Sequence, residues 1–329
     1  MRKIIFLAAV IVLVGAVGIS VSISASPVDL RDPGRYDPAL SGRFFASAGE
    51  GAAAGDLYEV QFNPPRLHRR TSTGRVYGMG GCDTDLVVTV ADQSVGYRDE
   101  LRRFADDQFL PVAGLADPAG ARPALTPDCR AAFVRLDHTT DRPTERLMVF
   151  DPETEATTEL RTAAPPYDQS FGVPAWGPDG EVAVLEGTAA EAGALGEVTG
   201  IVVISPDGSE RILDPPVEEF GALAWAPSQW MALGDGDSGT VFLNPATGEQ
   251  SSLDGWVPLT WSPDGMRLLV AEARERRLLG LVDLADLGGV RAVGKTEDVA
   301  IHDVVWLPYN TIAVGPPTVG RVPGDGDDR

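Results

Sequence analysis

A turn motif of the Trp-x-Pro-Asp-Gly type that returns about every 45 residues, short apolar runs on both sides of it, and almost no helical patterning predict an all-β chain. The expected fold is a six-bladed β-propeller. The fullest copies are Trp261-Ser262-Pro263-Asp264-Gly265 and Trp176-Gly177-Pro178-Asp179-Gly180. Trp225-Ala226-Pro227 and Trp306-Leu307-Pro308 keep the ring and the proline. Leu125-Thr126-Pro127-Asp128-Cys129 keeps Pro-Asp, and Gly81-Cys82-Asp83-Thr84-Asp85 is weaker still. First positions at 81, 125, 176, 225, 261 and 306 give a mean spacing of 45 residues, within the range of propeller blades and outside that of ankyrin arrays.

Each part of the motif has a physical reason. Proline presets φ, aspartate caps its own backbone and glycine takes positive φ, so Pro-Asp-Gly reverses the chain. The flanking runs, such as Val182-Ala183-Val184-Leu185, are short and rich in branched residues, as buried strands are. Trp176, Trp225, Trp261 and Trp306 hold one phase of the repeat, which reads as core packing between successive sheets. A second strand-turn-strand unit follows each copy, as in Ile201-Val202-Val203-Ile204-Ser205-Pro206-Asp207-Gly208, giving four strands per blade.

Tyr58-Glu59-Val60-Gln61-Phe62 with His68-Arg69-Arg70-Thr71 reads as an outer hairpin ahead of the first copy. The copy at Trp306 has an inner hairpin and then stops. Joined, the two would close the ring and remove a free sheet edge. If Phe44-Phe45-Ala46 starts a further blade, the count is seven. Asp99 to Phe104 is the one stretch past the N-terminus with some helical character.

The expected domains are a signal peptide or uncleaved membrane anchor over 1–25, a linker over 26–42, the propeller over 43–316 and an acidic disordered tail over 317–329. Arg2 and Lys3 precede eighteen uncharged residues, Ile4 to Val21, which predicts an N-terminal transmembrane or signal helix and export. The run is long for a signal peptide and long enough to span a bilayer, while Ser22, Ser24 and Ala25 offer a mediocre cleavage site, so both outcomes stay open. The domain is therefore expected outside the cytoplasm, anchored to the membrane by this segment only, or secreted or periplasmic if cleaved.

The net charge of −21 argues against nucleic acid and favours a basic or cationic ligand, or envelope proteins of that charge. Cys82 and Cys129 lie in what should be an oxidising space and are a disulfide candidate, although equivalent turns on adjacent blades can lie too far apart to bridge. Gly236-Asp237-Ser238-Gly239 copies a serine-protease nucleophile motif, but none of His68, His138 and His302 sits in a recognisable base motif. No catalytic residue and no cofactor is assigned. Asp235 and Asp237 begin an alternating carboxylate run that is a weak calcium candidate. Ala246 stands where a bidentate glutamate would complete the loop.

The first halves resemble the WD40-like repeat of TolB-type propellers: Trp261 to Gly265 matches its Trp-Ser-Pro-Asp-Gly consensus at all five positions, and Trp176 to Gly180 at four. The resemblance covers about residues 44–315. It implies the fold and, through TolB, an interaction role in the cell envelope. With no catalytic motif in sight, the expected function is a membrane-tethered module that binds a protein or ligand. The alternative is a propeller enzyme, a hydrolase or lyase using carboxylates or a metal at the channel mouth.

Overall fold

The computed structural model describes residues 43–48, 55–62, 65–82, 85–92, 98–137, 144–163, 169–189, 195–217, 222–235, 238–295 and 300–307. They fall in one unit, Pro33–Arg329. The expected N-terminal helix, the linker and the acidic tail lie outside the described residues. No helix among the described residues is long and apolar enough to cross a membrane.

The strands form antiparallel sheets, numbered here I to VI around the ring. Sheet I joins β1 (Arg43–Ala48), β2 (Leu57–Phe62) and β3 (Pro65–Arg69) to the last strand, β25 (Ile301–Leu307), in the order β25-β1-β2-β3. Sheet II runs β4 (Val76–Cys82), β5 (Asp85–Asp92), β6 (Arg98–Ala105) and β7 (Gln108–Pro111). Sheet III runs β8 (Ala121–Leu125), β9 (Ala131–Asp137), β10 (Thr144–Asp151) and β11 (Ala156–Thr162).

In sheet IV, β12 (Gln169–Phe171) and β13 (Ala175–Trp176) both pair with β14 (Val182–Ala189), followed by β15 (Leu195–Ile204) and β16 (Glu210–Leu213). Sheet V holds β17 (Leu223–Trp225), β18 (Met231–Asp235), β19 (Gly239–Leu243) and β20 (Gln250–Asp254). Sheet VI holds β21 (Trp256–Trp261), β22 (Arg267–Glu272), β23 (Leu278–Asp283) and β24 (Asp286–Lys295). The inner strands touch in a closed cycle: β25 on β4, β4 on β8, β8 on β13, β13 on β17, β17 on β21 and β21 on β25. The fold is an all-β propeller.

Three expectations are corrected. The first is the blade count, expected as six with seven as the alternative. Five sheets are four-stranded blades of the expected kind, and sheet IV departs with five strands because Gly172-Val173-Pro174 splits its inner strand. Proline removes a ladder donor, which suits such a break. Phe44 and Phe45 begin no extra blade, since β1 pairs β25 on one side and β2 on the other. The second concerns closure. The N-terminus supplies three strands and the C-terminus one, where two and two were expected, because β1 takes the place foreseen for residues after Trp306. The third is Asp99 to Phe104, which is strand β6: Leu101 and Phe104 are buried by sheet neighbours, and this tertiary contact overrides a weak local preference.

One hydrophobic cluster fills each gap between sheets. Phe44, Trp306, Val257 and Leu269 join sheets I and VI, whereas Val305 and Leu307 face Leu86 and Val88 across sheets I and II. Strand alternation explains how β25 feeds both gaps. Phe133 and Phe150 meet Val87 and Leu101 between sheets II and III. Burying a phenylalanine or leucine fully is worth about 2 kcal/mol.

The repeated tryptophans add a polar link. Trp176 donates its indole N–H to the carbonyl of Ala124 on β8 (2.9 Å), and Trp261 donates to Ala224 on β17 (3.2 Å). Each reaches back to the inner strand of the preceding sheet. Trp225 packs over Gly177, where an added Cβ would lie 2.8 Å from the ring, and its indole N–H is buried with no acceptor. Gly81 holds the tryptophan phase in sheet II, and a Cβ there would fall 2.2 Å from Leu307 and 2.4 Å from Val305. The space is already filled.

These contacts rank the tryptophans. W176F and W261F each orphan a carbonyl and should lower unfolding free energy by about 2–4 kcal/mol. W225F removes a donor that has no partner and should cost at least about 1 kcal/mol less. Urea unfolding monitored by circular dichroism measures the difference.

Candidate active site at the ring mouth

In an up-and-down sheet every inner strand runs the same way, so the starts of β25, β4, β8, β12, β17 and β21 share one end of the ring, here called the mouth. Asp303 lies near the start of β25. It follows the alternation of Val305 and Leu307, which points it at sheet II, where the Met79 N–H of β4 donates to its Oδ2 at 3.1 Å. The N–H of Val304 is a second donor. The buried carboxylates Asp56 and Glu186 are paired with Arg69 and, at 3.0 Å, Arg161, while Asp303 is half-buried. Asp303 has only backbone amides as partners among the described residues. Burial therefore dominates and lifts its carboxyl from 3.8 to about 6, with the two amides pulling the other way.

On the other flank of β4, Gly78 packs so tightly against β8 that an added Cβ would sit 3.4 Å from the Cα of Arg122. Arg122 is a non-glycine residue at φ 58°, beside a register shift between Ala121 and Ala124. Such a backbone persists only where its surroundings impose it, and here they do. Its N–H donates to Thr89 Oγ1 of sheet II (3.1 Å), and its guanidinium donates to the Phe171 carbonyl of β12. Glu145 lies 3.9 Å from the same guanidinium. The other oxygen of that carboxylate accepts the Ser170 hydroxyl (2.8 Å) and the Phe171 N–H (2.6 Å). Asp99 stands at the same end, raised by burial with Arg122 opposing the shift. Asp303 on β25, Arg122 on β8 and Ser170 on β12, with Glu145 on β10 and Asp99 on β6, thus place charged and polar groups at one end of the ring.

This arrangement suits acid–base chemistry. A carboxyl poised near 6 changes charge close to neutral pH and can take or give a proton there. A fixed guanidinium can stabilise an oxyanion.

The residues singled out in the sequence fare differently. Trp225, Trp261 and Trp306 are buried and Trp176 is partly buried, all between sheets. Cys82 and Cys129 are joined in a disulfide, with Cα atoms 5.0 Å apart. Asp235 ends β18, while Asp237 and His138 lie outside the described residues, as do the side chains of His68 and His302. No group of three metal-ligating side chains occurs among the described residues.

Motif reading missed Asp303, Arg122 and Glu145. A signal existed in the repeat itself. Three positions before the tryptophan phase stand Gly78, Arg122, Val173, Ala222, Pro258 and Asp303, and the two charged residues of that set are the ones at the mouth.

No family model matches the chain, and no curated protein matches it. Among solved structures it is similar to a gluconolactonase from Xanthomonas campestris, with 12% identity, TM-score 0.49, and coverage of 71% of this chain and 84% of that one. A puromycin hydrolase gives 18% identity and TM-score 0.47 over 83% of this chain, which spans 48% of that enzyme. An oligogalacturonate lyase from Vibrio parahaemolyticus gives 14% and 0.45, covering 73% and 71%. The expectation of an interaction module is withdrawn on this finding, because the structures it is similar to are described as enzymes. The sheets and the closed cycle of their inner strands make the chain a β-propeller protein.

Proposed function

We propose that the chain is a propeller enzyme, a hydrolase or lyase, working at the ring mouth. The observation that carries the reading is Asp303, a half-buried carboxyl on an innermost strand, desolvated and with no cation beside it among the described residues. As a base it would take a proton from an attacking water or from a carbon beside a carbonyl. Arg122, braced by Phe171 and Glu145, would stabilise the negative charge that develops on the substrate. The acidic domain favours a small neutral or cationic substrate over a polyanion. The reading extends to a ring of six blades, with sheet IV as the split one, built from TolB-like repeats. It extends also to export by the segment 1–25, either as an anchor or as a cleaved signal.

A panel of esters, lactones, amides and methyl-esterified uronic-acid oligomers tests it with purified protein. Turnover should rise with pH through a midpoint of about 6, and D303N should lower kcat by about 100-fold or more and abolish that limb. Absence of turnover across the panel, or a D303N variant as active as the parent, sinks the proposal.

The same variant should move stability the opposite way. A carboxyl raised from 3.8 to about 6 by folding holds its proton more tightly in the folded state. Its contribution is whole below about 3.8 and is lost as pH rises through about 6. At pH 7.5 the half-buried charge costs up to about 3 kcal/mol, and D303N should recover about 1–3 kcal/mol of it while gaining nothing at pH 3.5. Thermal unfolding at the two pH values measures this.

A further inference from the structure

We propose that the Cys82–Cys129 disulfide is a redox-operated clasp between sheets II and III, opened by a dithiol and closed by reoxidation while the rest of the ring stays folded. The proposal stands apart from any enzymatic reading.

Its first support is where the bridge falls. Four gaps between sheets are closed by a tryptophan at the repeat's phase position: Trp176, Trp225, Trp261 and Trp306. Two are not. Between sheets I and II the phase residue is Gly81, and Val305, Leu307 and the Asp303–Met79 hydrogen bond fill its place. Between sheets II and III the phase residue is Leu125, and the disulfide spans that gap. The covalent bond stands where the repeat's own closing element is missing.

Its second support is the backbone. Cys129 occupies the fifth position of its turn, where two other copies carry Gly180 at φ 77° and Gly265 at φ 68° and a third carries Gln229 at φ 76°. Cys129 adopts φ 65°, a conformation that side chains with a Cβ disfavour. Arg122, at the other end of β8, is left-handed as well. β8 pairs with β9 at Ala121, Ala124 and Leu125, with a register shift after Ala121. A strand with two unfavourable residues and a shifted register is held from outside, and the disulfide is one of its holds.

Access is one-sided. Cys82 is buried, whereas Cys129 is partly exposed beside the exposed Pro127 and Asp128. A dithiol thiolate attacks Cys129 Sγ and expels the Cys82 thiolate. The second thiol of the reagent then displaces Cys129, leaving two protein thiols and a cyclic disulfide, so that two electrons and two protons pass to the protein. With the bond open, Cys129 can leave its left-handed conformation. The apolar contacts of Phe133 and Phe150 with Val87 and Leu101 still hold sheets II and III together farther out.

Hydrogen exchange read by mass spectrometry on the whole chain tests this in oxidised, dithiothreitol-treated and reoxidised protein. Reduction should speed exchange about tenfold or more in β4 and in residues 121–130, leave Leu223–Lys295 unchanged, and reverse on reoxidation. C82S/C129G, which restores the glycine of the turn, should exchange more slowly there than C82S/C129S. Equal acceleration in all sheets, no acceleration, or a bridge that dithiothreitol reaches only in urea would each overturn the clasp. Identical exchange in the two double variants would overturn the part assigned to the left-handed cysteine.

Discussion

Packing of one inner strand on the next governs this molecule. A propeller sheet is apolar on both faces, and near the axis its neighbours come so close that the contact is made by backbone, by a single ring or by no side chain at all. At sheet II the close approach leaves room only for glycine at position 81, and at sheet IV Gly177 lies under the ring of Trp225. Elsewhere an indole both fills the gap and ties off a carbonyl that would otherwise be buried unpaired. The six clusters farther out supply most of the apolar burial. They can do so only if the inner contacts set the angle between sheets.

The mouth inherits its chemistry from the same constraint. Side chains that start an inner strand are enclosed by two neighbouring sheets, so a charge placed there is desolvated without being sealed away. Asp303 shows the result, a carboxyl held by amides and pushed toward neutrality. Arg122 shows the complementary device, a charge kept in place by a backbone shape that three sheets impose together. Both run against stability, as residues kept for function often do.

Much of the architecture was legible because it repeats. Turn chemistry at Pro263-Asp264-Gly265 and the phase of the four tryptophans are local signals, and copying them round the chain gives the sheets and the cycle. What escaped were features set by a single partner far away in sequence. Pro174 splits an inner strand that the repeat alone makes continuous, and β1 outcompetes the residues after Trp306 for the place beside β25. The site escaped for a related reason. Asp303 and Arg122 belong to no motif, and their environment is created by Met79, Thr89 and Phe171, which only the closed ring brings to them.

Sheet I has a consequence for how the protein comes into being. Its first three strands, within residues 43–69, are made well before its fourth, Ile301–Leu307. At roughly 5–20 residues per second, β1 waits tens of seconds with one row of amides and carbonyls unsatisfied. During that interval the nascent molecule is a string of finished sheets with a sticky end. A β25 from a second polypeptide would fit that end as well as its own does. Crowded ribosomes on one message therefore risk making linked rings, and the chain's own β25 has to win that race each time.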